Sequence, residues 1–144
     1  MHGANRPPFV DDRPFALPAD SIKITLDLPM PPSTNRIWRS GRGRIYRSKE
    51  YVLWCEQADM AVMVSKKPGP LPKMAGPFEA QILLSSEHRG DGDNRIKAAL
   101  DWLQSRDIVR NDSDCRRGSW EWVDAERAPK GCRVTLRSLH GYPP

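Results

Sequence analysis

The chain has 144 residues, 38% of them hydrophobic and 28% charged, with a formal net charge of +5. That length supports one domain with one core, and the basic balance favours an anionic partner such as nucleic acid. Three cysteines with no C-x-x-C pair, and histidines only at His2, His88 and His140, argue against a zinc centre or a disulfide framework. No apolar run reaches transmembrane length, and the N-terminus lacks the apolar core of a signal peptide. A cytoplasmic protein with no membrane partner is expected.

Residues 1–20 are rich in proline and aperiodic, which predicts a flexible tail ahead of a single domain over 21–140. Ser21 to Leu28 alternates, with Ile22, Ile24, Leu26 and Leu28 on one side. That is the pattern of a half-buried strand, and Pro29, Pro31 and Pro32 end it. The segment 36–49, RIWRSGRGRIYRSK, carries six basic residues and no acid, and Gly41 and Gly43 allow its backbone to turn. Ser48 is a good N-cap for a helix running to about Ser65, burying Tyr51, Trp54, Cys55, Ala58, Ala61 and Val62. Lys66 to Pro77 reads as a loop.

Phe78 to Ser86 is a second alternating strand. A helix capped by Asp93 or Asn94 follows, its core face set by Ile96, Ala99, Leu100 and Leu103 at i, i+3, i+4, i+7 spacing. Arg116 to Asp124 reads as a strand with Trp120 and Trp122 on one side, assigned to the core or to a dimer interface. APKG, Ala128 to Gly131, is a turn, and Cys132, Val134 and Leu136 alternate in a last strand. The order β-α-β-α-β-β predicts an α+β fold, a mixed β-sheet with two helices on one face.

The chemistry is concentrated in Arg89 to Asp114. Asp91 and Asp93 flank Gly92 just before the second helix, Lys97 follows one turn later, and Asp112 and Asp114 come after the helix. A hard divalent cation needs carboxylate oxygens with positions left open for water and a phosphate oxygen. The helix would span roughly 18 Å. Residues 106–112 reach about 20 Å if extended. Asp112 therefore joins the aspartate pair only if that segment doubles back along the helix; Asp114 has reach to spare. The competing reading makes Asp93 an N-cap, Asp93 and Lys97 a surface ion pair, and the other acids turn residues.

The same stretch resembles the RusA family of Holliday junction resolvases (crossover junction endodeoxyribonucleases). Its D-x-D-N, K, D-x-L and late acid are matched by Asp91, Asp93, Asn94, Lys97, Asp101, Leu103 and Asp112. Pro31 to Ser48, PPSTNRIWRSGRGRIYRS, is similar to the family's PPS-x-N-R stretch and G-R-G-R loop, and the likeness runs from about Ile22 to Leu136. Two departures stand out. Asn111 lies where members often carry a second acid, and Gly90 lies where many carry a base.

The resemblance implies Asp91, Asp93 and Asp112 as metal-binding catalytic acids and Lys97 as the essential lysine. It implies Mg2+ as cofactor, with Mn2+ as a substitute, and a homodimer that cuts four-way junction DNA by paired nicks in recombination and repair. A two-fold dimer suits a junction with two equivalent strands to cut. Asn35, Arg36, Arg39, Arg42, Arg44, Arg47 and Lys49 form the expected DNA-binding surface, where arginines neutralise phosphates. The alternative is a DNA-binding module without cleavage, such as a degenerate prophage copy.

Overall fold

The computed structural model describes residues 22–33, 38–41, 44–65 and 71–139. The tail expected over residues 1–20 lies outside them, as do Asn35, Arg36 and Arg42. Strand β1, Lys23–Pro29, opens the fold. Strands β2, Trp38–Gly41, and β3, Arg44–Arg47, pair antiparallel as a separate two-stranded sheet. Helix α1 is Lys49–Ser65, strand β4 Phe78–Ser85, helix α2 Gly92–Ser105, strand β5 Cys115–Val123 and strand β6 Gly131–Ser138. The alternating strands and the two helices thus follow the expected order, with the β2–β3 hairpin inside the basic segment as an addition to it.

The main sheet has the order β1-β6-β4-β5. β6 runs antiparallel to both β1 and β4, with Asp27 opposite Arg133 in the β1–β6 register. β4 and β5 are parallel. Parallel neighbours need a crossover, and α2 supplies it. Ile24, Leu26 and Leu28 of β1, Ala80, Ile82 and Leu84 of β4, and Val134 and Leu136 of β6 build one buried layer. Tyr51, Trp54, Ala58 and Val62 of α1 and Ala98, Trp102 and Leu103 of α2 pack on it. On the opposite face, Leu83, Val123 and Ala128 form a small second cluster.

The core stripe of α2 is displaced from the expected one. Ala98, Ala99, Trp102 and Leu103 are buried, while Ile96 and Leu100 are only half-buried at its edge. The reason is α1, which packs beside α2 and draws Trp102 inward. The Trp102 and Trp54 rings meet edge to face at 6.3 Å. The Trp102 indole N–H donates to Asp59 Oδ1 at 2.9 Å, and Arg106 grips the same carboxylate at 2.7 and 2.8 Å. The Tyr51 hydroxyl donates to Asp101, another clasp between the helices. Burial and that neighbouring carboxylate push the Tyr51 phenol well above its ordinary range.

Arg106 holds the Asp59 carboxyl below the usual carboxylate range. A depressed folded-state pKa stabilises the fold above the unfolded value, near 3.9. That contribution is lost as pH falls through the folded value. The pair is about one-third exposed, so solvent screening leaves it worth about 1 kcal/mol. Asp59→Asn is therefore expected to lower stability by about 1 kcal/mol at pH 7 and to flatten the decline below pH 4. Urea titrations across pH measure both.

α2 ends in a Schellman turn. The Asp107 N–H donates to the Gln104 carbonyl and the Ile108 N–H to the Leu103 carbonyl, each at 3.0 Å. Asp107 takes the left-handed conformation, φ 59°, that glycine adopts without cost. Leu103 and Ile108 are both fully buried, giving the apolar contact that accompanies this turn. Asp107→Gly is expected to raise stability by about 0.5–1 kcal/mol, readable as a rise in thermal midpoint.

Candidate functional site

The start of α2 is built by contacts between distant parts of the chain. Asp91, not Asp93 or Asn94, is the N-cap residue, with extended dihedrals and no cap bond from its side chain. Its carboxylate instead accepts a 3.1 Å hydrogen bond from the Asn94 side-chain amide. Arg95 turns back from the helix and donates to the Pro31 carbonyl and to the Arg89 carbonyl, both at 2.7 Å. It thereby fastens the P-P-S corner that follows β1 to the loop carrying the acids. An open cleft of about 430 Å³ results, lined by Ser33, Glu50, Arg89, Gly90, Asp91, Asn94 and Arg95. The two sequence segments singled out above, the P-P-S corner and the D-G-D-N turn, meet in it.

Both glycines of this turn have structural reasons. Gly90 sits at φ +113°, and a Cβ there would lie 3.3 Å from the Arg95 guanidinium. A base at this position would crowd the bracket that Arg95 makes. At Gly92 a Cβ would come within 2.2 Å of the Trp120 ring. Gly92 therefore serves close packing of α2 on β5 rather than a bend in the chain.

Asp91, Asp93 and Lys97 are exposed at this end of α2, with Asp93 and Lys97 one turn apart. Asp112 is at the other end. Residues 106–112 do not run back along the helix, because the Schellman turn consumes 106–108 and Val109 bridges to Met74 beside the sheet. The Asp112 backbone N–H donates to the Gln104 side chain at 2.9 Å. Asp112 begins a short 3-10 turn, Asp112–Asp114, that leads into β5. From Gly92 to Gln104 the helix climbs about 18 Å.

Asp114 is buried and held by Arg110 at 3.1 Å, whereas Asp112 is exposed. Asn111 caps the 3-10 turn by accepting from the Ser113 N–H at 2.9 Å, which gives this departure from the family pattern a local role. No group of three or more His, Cys, Asp and Glu side chains able to hold a metal ion occurs among the described residues. One chain thus presents the Asp91–Asp93 pair without a third carboxylate beside it from Asp112.

Of the expected DNA-binding residues, Arg39, Arg44 and Arg47 lie on β2 and β3, and Lys49 is exposed at the start of α1. Trp122 is half-buried against the core, while Trp120 is exposed and meets it edge to face at 6.5 Å. Sequence reasoning missed Ser33, Glu50, Arg89, Asn94 and Arg95 as cleft residues. Glu50 reads only as an acid in the first turn of a helix, and the motif does not single out Arg95. The signal available was the D-G-D-N-R run itself, in which Asn94 and Arg95 are the residues that can reach back over the turn.

A small basic α+β domain, with Asp91 lining a polar cleft, Asp93 exposed two residues further on and a cationic hairpin segment in the same chain, has the constitution of a nucleic-acid enzyme. Comparison with protein families gives the class directly. Residues 29–137 match the model of the endodeoxyribonuclease RusA family, and the chain belongs to that family. It is thereby placed among nucleases that act on junction DNA. The match spans β1's last residue to the penultimate residue of β6 and contains the whole cleft. No curated protein matches the chain. No helix among the described residues is long and apolar enough to cross a membrane.

Proposed function

We propose that the protein is a Mg2+-dependent endonuclease that resolves Holliday junctions by paired, symmetric nicks. The observation that carries this reading is the meeting of the P-P-S corner with the D-G-D-N turn in one cleft, fastened by Arg95. Asp91 and Asp93 are proposed as metal-binding catalytic acids and Lys97 as the cation facing the scissile phosphate; Asp112, at the far end of α2 in its own chain, is proposed as the third acid only in the assembled homodimer. Mg2+, or Mn2+ in its place, would neutralise the carboxylates and lower the pKa of an attacking water. Asn94 keeps the Asp91 carboxylate oriented, and Lys97 offsets negative charge on the phosphate. The enzyme is proposed to act as a homodimer.

The test is incubation of the protein with a labelled four-way junction and with linear duplex of the same sequence. Nicking of the junction alone, and only with Mg2+ or Mn2+, supports the reading. Tight junction binding without cleavage in any divalent cation would favour the non-catalytic alternative. The β2–β3 segment is the proposed DNA surface. Arg42→Ala combined with Arg44→Ala is expected to weaken junction binding. It should also lower the slope of log affinity against log salt by roughly 0.9 per lost phosphate contact. Titrations at several salt concentrations read this, and an unchanged slope removes these residues from the surface.

A further inference from the structure

Helix α1 is apolar on both sides. Tyr51, Trp54, Ala58 and Val62 are buried in the core, yet Val52, Leu53, Met60, Met63 and Val64 are exposed, Val64 at 81%. At about 100° per residue, Leu53, Met60 and Val64 fall on one line along the helix, with Val52 and Met63 beside it. The other exposed residues between Val52 and Val64 are Glu56 and Gln57. A helix that is apolar all round is normally covered on every side, and a continuous exposed apolar stripe marks a surface that something occupies. Methionines suit an irregular occupant, because their side chains adapt to its shape.

The topology shows which part of the chain arrives at this stripe. β1 and β4 both run antiparallel to β6, and so parallel to each other. α1 lies between them in sequence and carries the chain from the Pro29 end of the sheet back to the Phe78 end. Its second turn stands at the first of these, where the Trp54 indole N–H donates to the Pro29 carbonyl at 3.0 Å. Its last turns, with Met60, Met63 and Val64, therefore lie at the end of the sheet where β1 starts. There the Ile22 carbonyl accepts from the Ser138 N–H at 2.9 Å, and the Ile22 side chain is exposed as well. Ile22 is the residue through which residues 1–21 join the fold.

That segment, MHGANRPPFVDDRPFALPADS, has the matching chemistry. Phe9 and Val10, then Phe15 and Leu17, are two groups of apolar anchors with Arg13 between them. Going back from Ile22, the stripe has the same order: Met60, Met63 and Val64 first, then Glu56, then Leu53 and Val52. From Phe9 to Ile22 the chain reaches about 40 Å if extended, against about 18 Å from Val52 to Val64 along the helix. A segment lying on an open surface keeps one side in water, where Asp11 and Asp12 stay solvated. The other stretches that flank this end of the sheet offer less. Residues 66–70, KKPGP, hold no Phe, Leu, Val, Ile or Met, and residues 140–144, HGYPP, hold a single aromatic, Tyr142.

We propose that residues 9–17 lie along the outer face of their own chain's α1, with Phe15 and Leu17 on Met60, Met63 and Val64, Arg13 beside Glu56, and Phe9 and Val10 on Leu53 and Val52. The segment straps the helix that clasps α2 through Tyr51 and Asp59. This docking is independent of the nuclease reading.

The full-length protein is tested without DNA or metal. Leu17→Cys with Met63→Cys, in a Cys115→Ser background that leaves only the buried Cys55 and Cys132, should form a disulfide within one chain on mild oxidation. Leu17→Cys with Gln81→Cys, exposed on the opposite sheet face, should not. Chymotrypsin should cut after Phe9 and Phe15 roughly tenfold faster in Met60→Lys with Met63→Lys than in the wild type, because cutting reads the population of undocked segment. Both methionines are exposed, so the variant keeps its fold, which circular dichroism checks. Glu56→Arg should also speed cutting, and Arg13→Glu added to it should restore protection.

Equal cutting of the wild type and the methionine variant overturns the proposal. So does a disulfide between positions 17 and 63 that forms only between chains. If the methionine variant instead loses dimerisation in sedimentation, or binding to phosphatidylglycerol vesicles, with cutting unchanged, the face belongs to a second copy or to a membrane and the proposal fails.

Discussion

Trp102→Ala is expected to cost about 3–5 kcal/mol of stability, lowering the thermal midpoint on the order of 10 °C or more. Trp102 is 1% exposed and joins α1, α2 and the sheet. Its ring packs edge-on against Trp54 of α1, its indole N–H bonds to Asp59 of α1, and its own helix lies on the sheet. Alanine leaves a cavity that the close-packed core around it, in which Trp54 meets the ring edge to face, cannot fill. It also removes one of the groups that orient Asp59 for Arg106. Against the usual 5–15 kcal/mol of a domain, the loss is a large fraction. Chemical denaturation of the variant and wild type measures it, and a change below about 1 kcal/mol would mean that the helices do not pack as described.

The second large effect is on cleavage. Asp91→Asn is expected to reduce junction nicking by at least on the order of 100-fold, equivalent to about 2.7 kcal/mol of transition-state stabilisation, while junction binding and folding persist. The substitution isolates charge from structure. Asparagine is as good an N-cap as aspartate, and its side-chain oxygen still accepts from the Asn94 amide. Asp91 is exposed, so no buried partner is orphaned. Single-turnover cleavage, junction binding and thermal unfolding separate the outcomes. Normal cleavage would refute the assignment of Asp91.

Much of this fold is legible from periodicity. Alternation marks β1, β4 and β6, and Ser48 does cap α1, accepting from the Tyr51 N–H at 3.2 Å. The family pattern likewise locates the acidic turn. What stays hidden depends on partners remote in sequence. The core stripe of α2 is rotated by contact with α1, which no local pattern records. The direction of the chain after α2 follows from a Schellman turn built on Asp107 rather than glycine, so the usual stop signal is missing. That turn fixes Asp112 near Gln104, where a reach calculation allowed it to return. The D-x-L aspartate, Asp101, is a clasp for Tyr51 and not a group of the cleft. The family resemblance picks out residues by register, but only the three-dimensional path shows which of them share a chain's own site.

The central claim is that the Asp91–Asp93 turn belongs to a junction-resolving nuclease. Its most direct test is a supercoiled plasmid that extrudes a cruciform, incubated with the wild-type protein and Mg2+. The account predicts linear plasmid, from paired nicks at symmetry-related positions across the junction, and none without the metal ion or without the cruciform. Bound but uncut cruciform, or equal cutting of plasmid lacking it, would contradict the account.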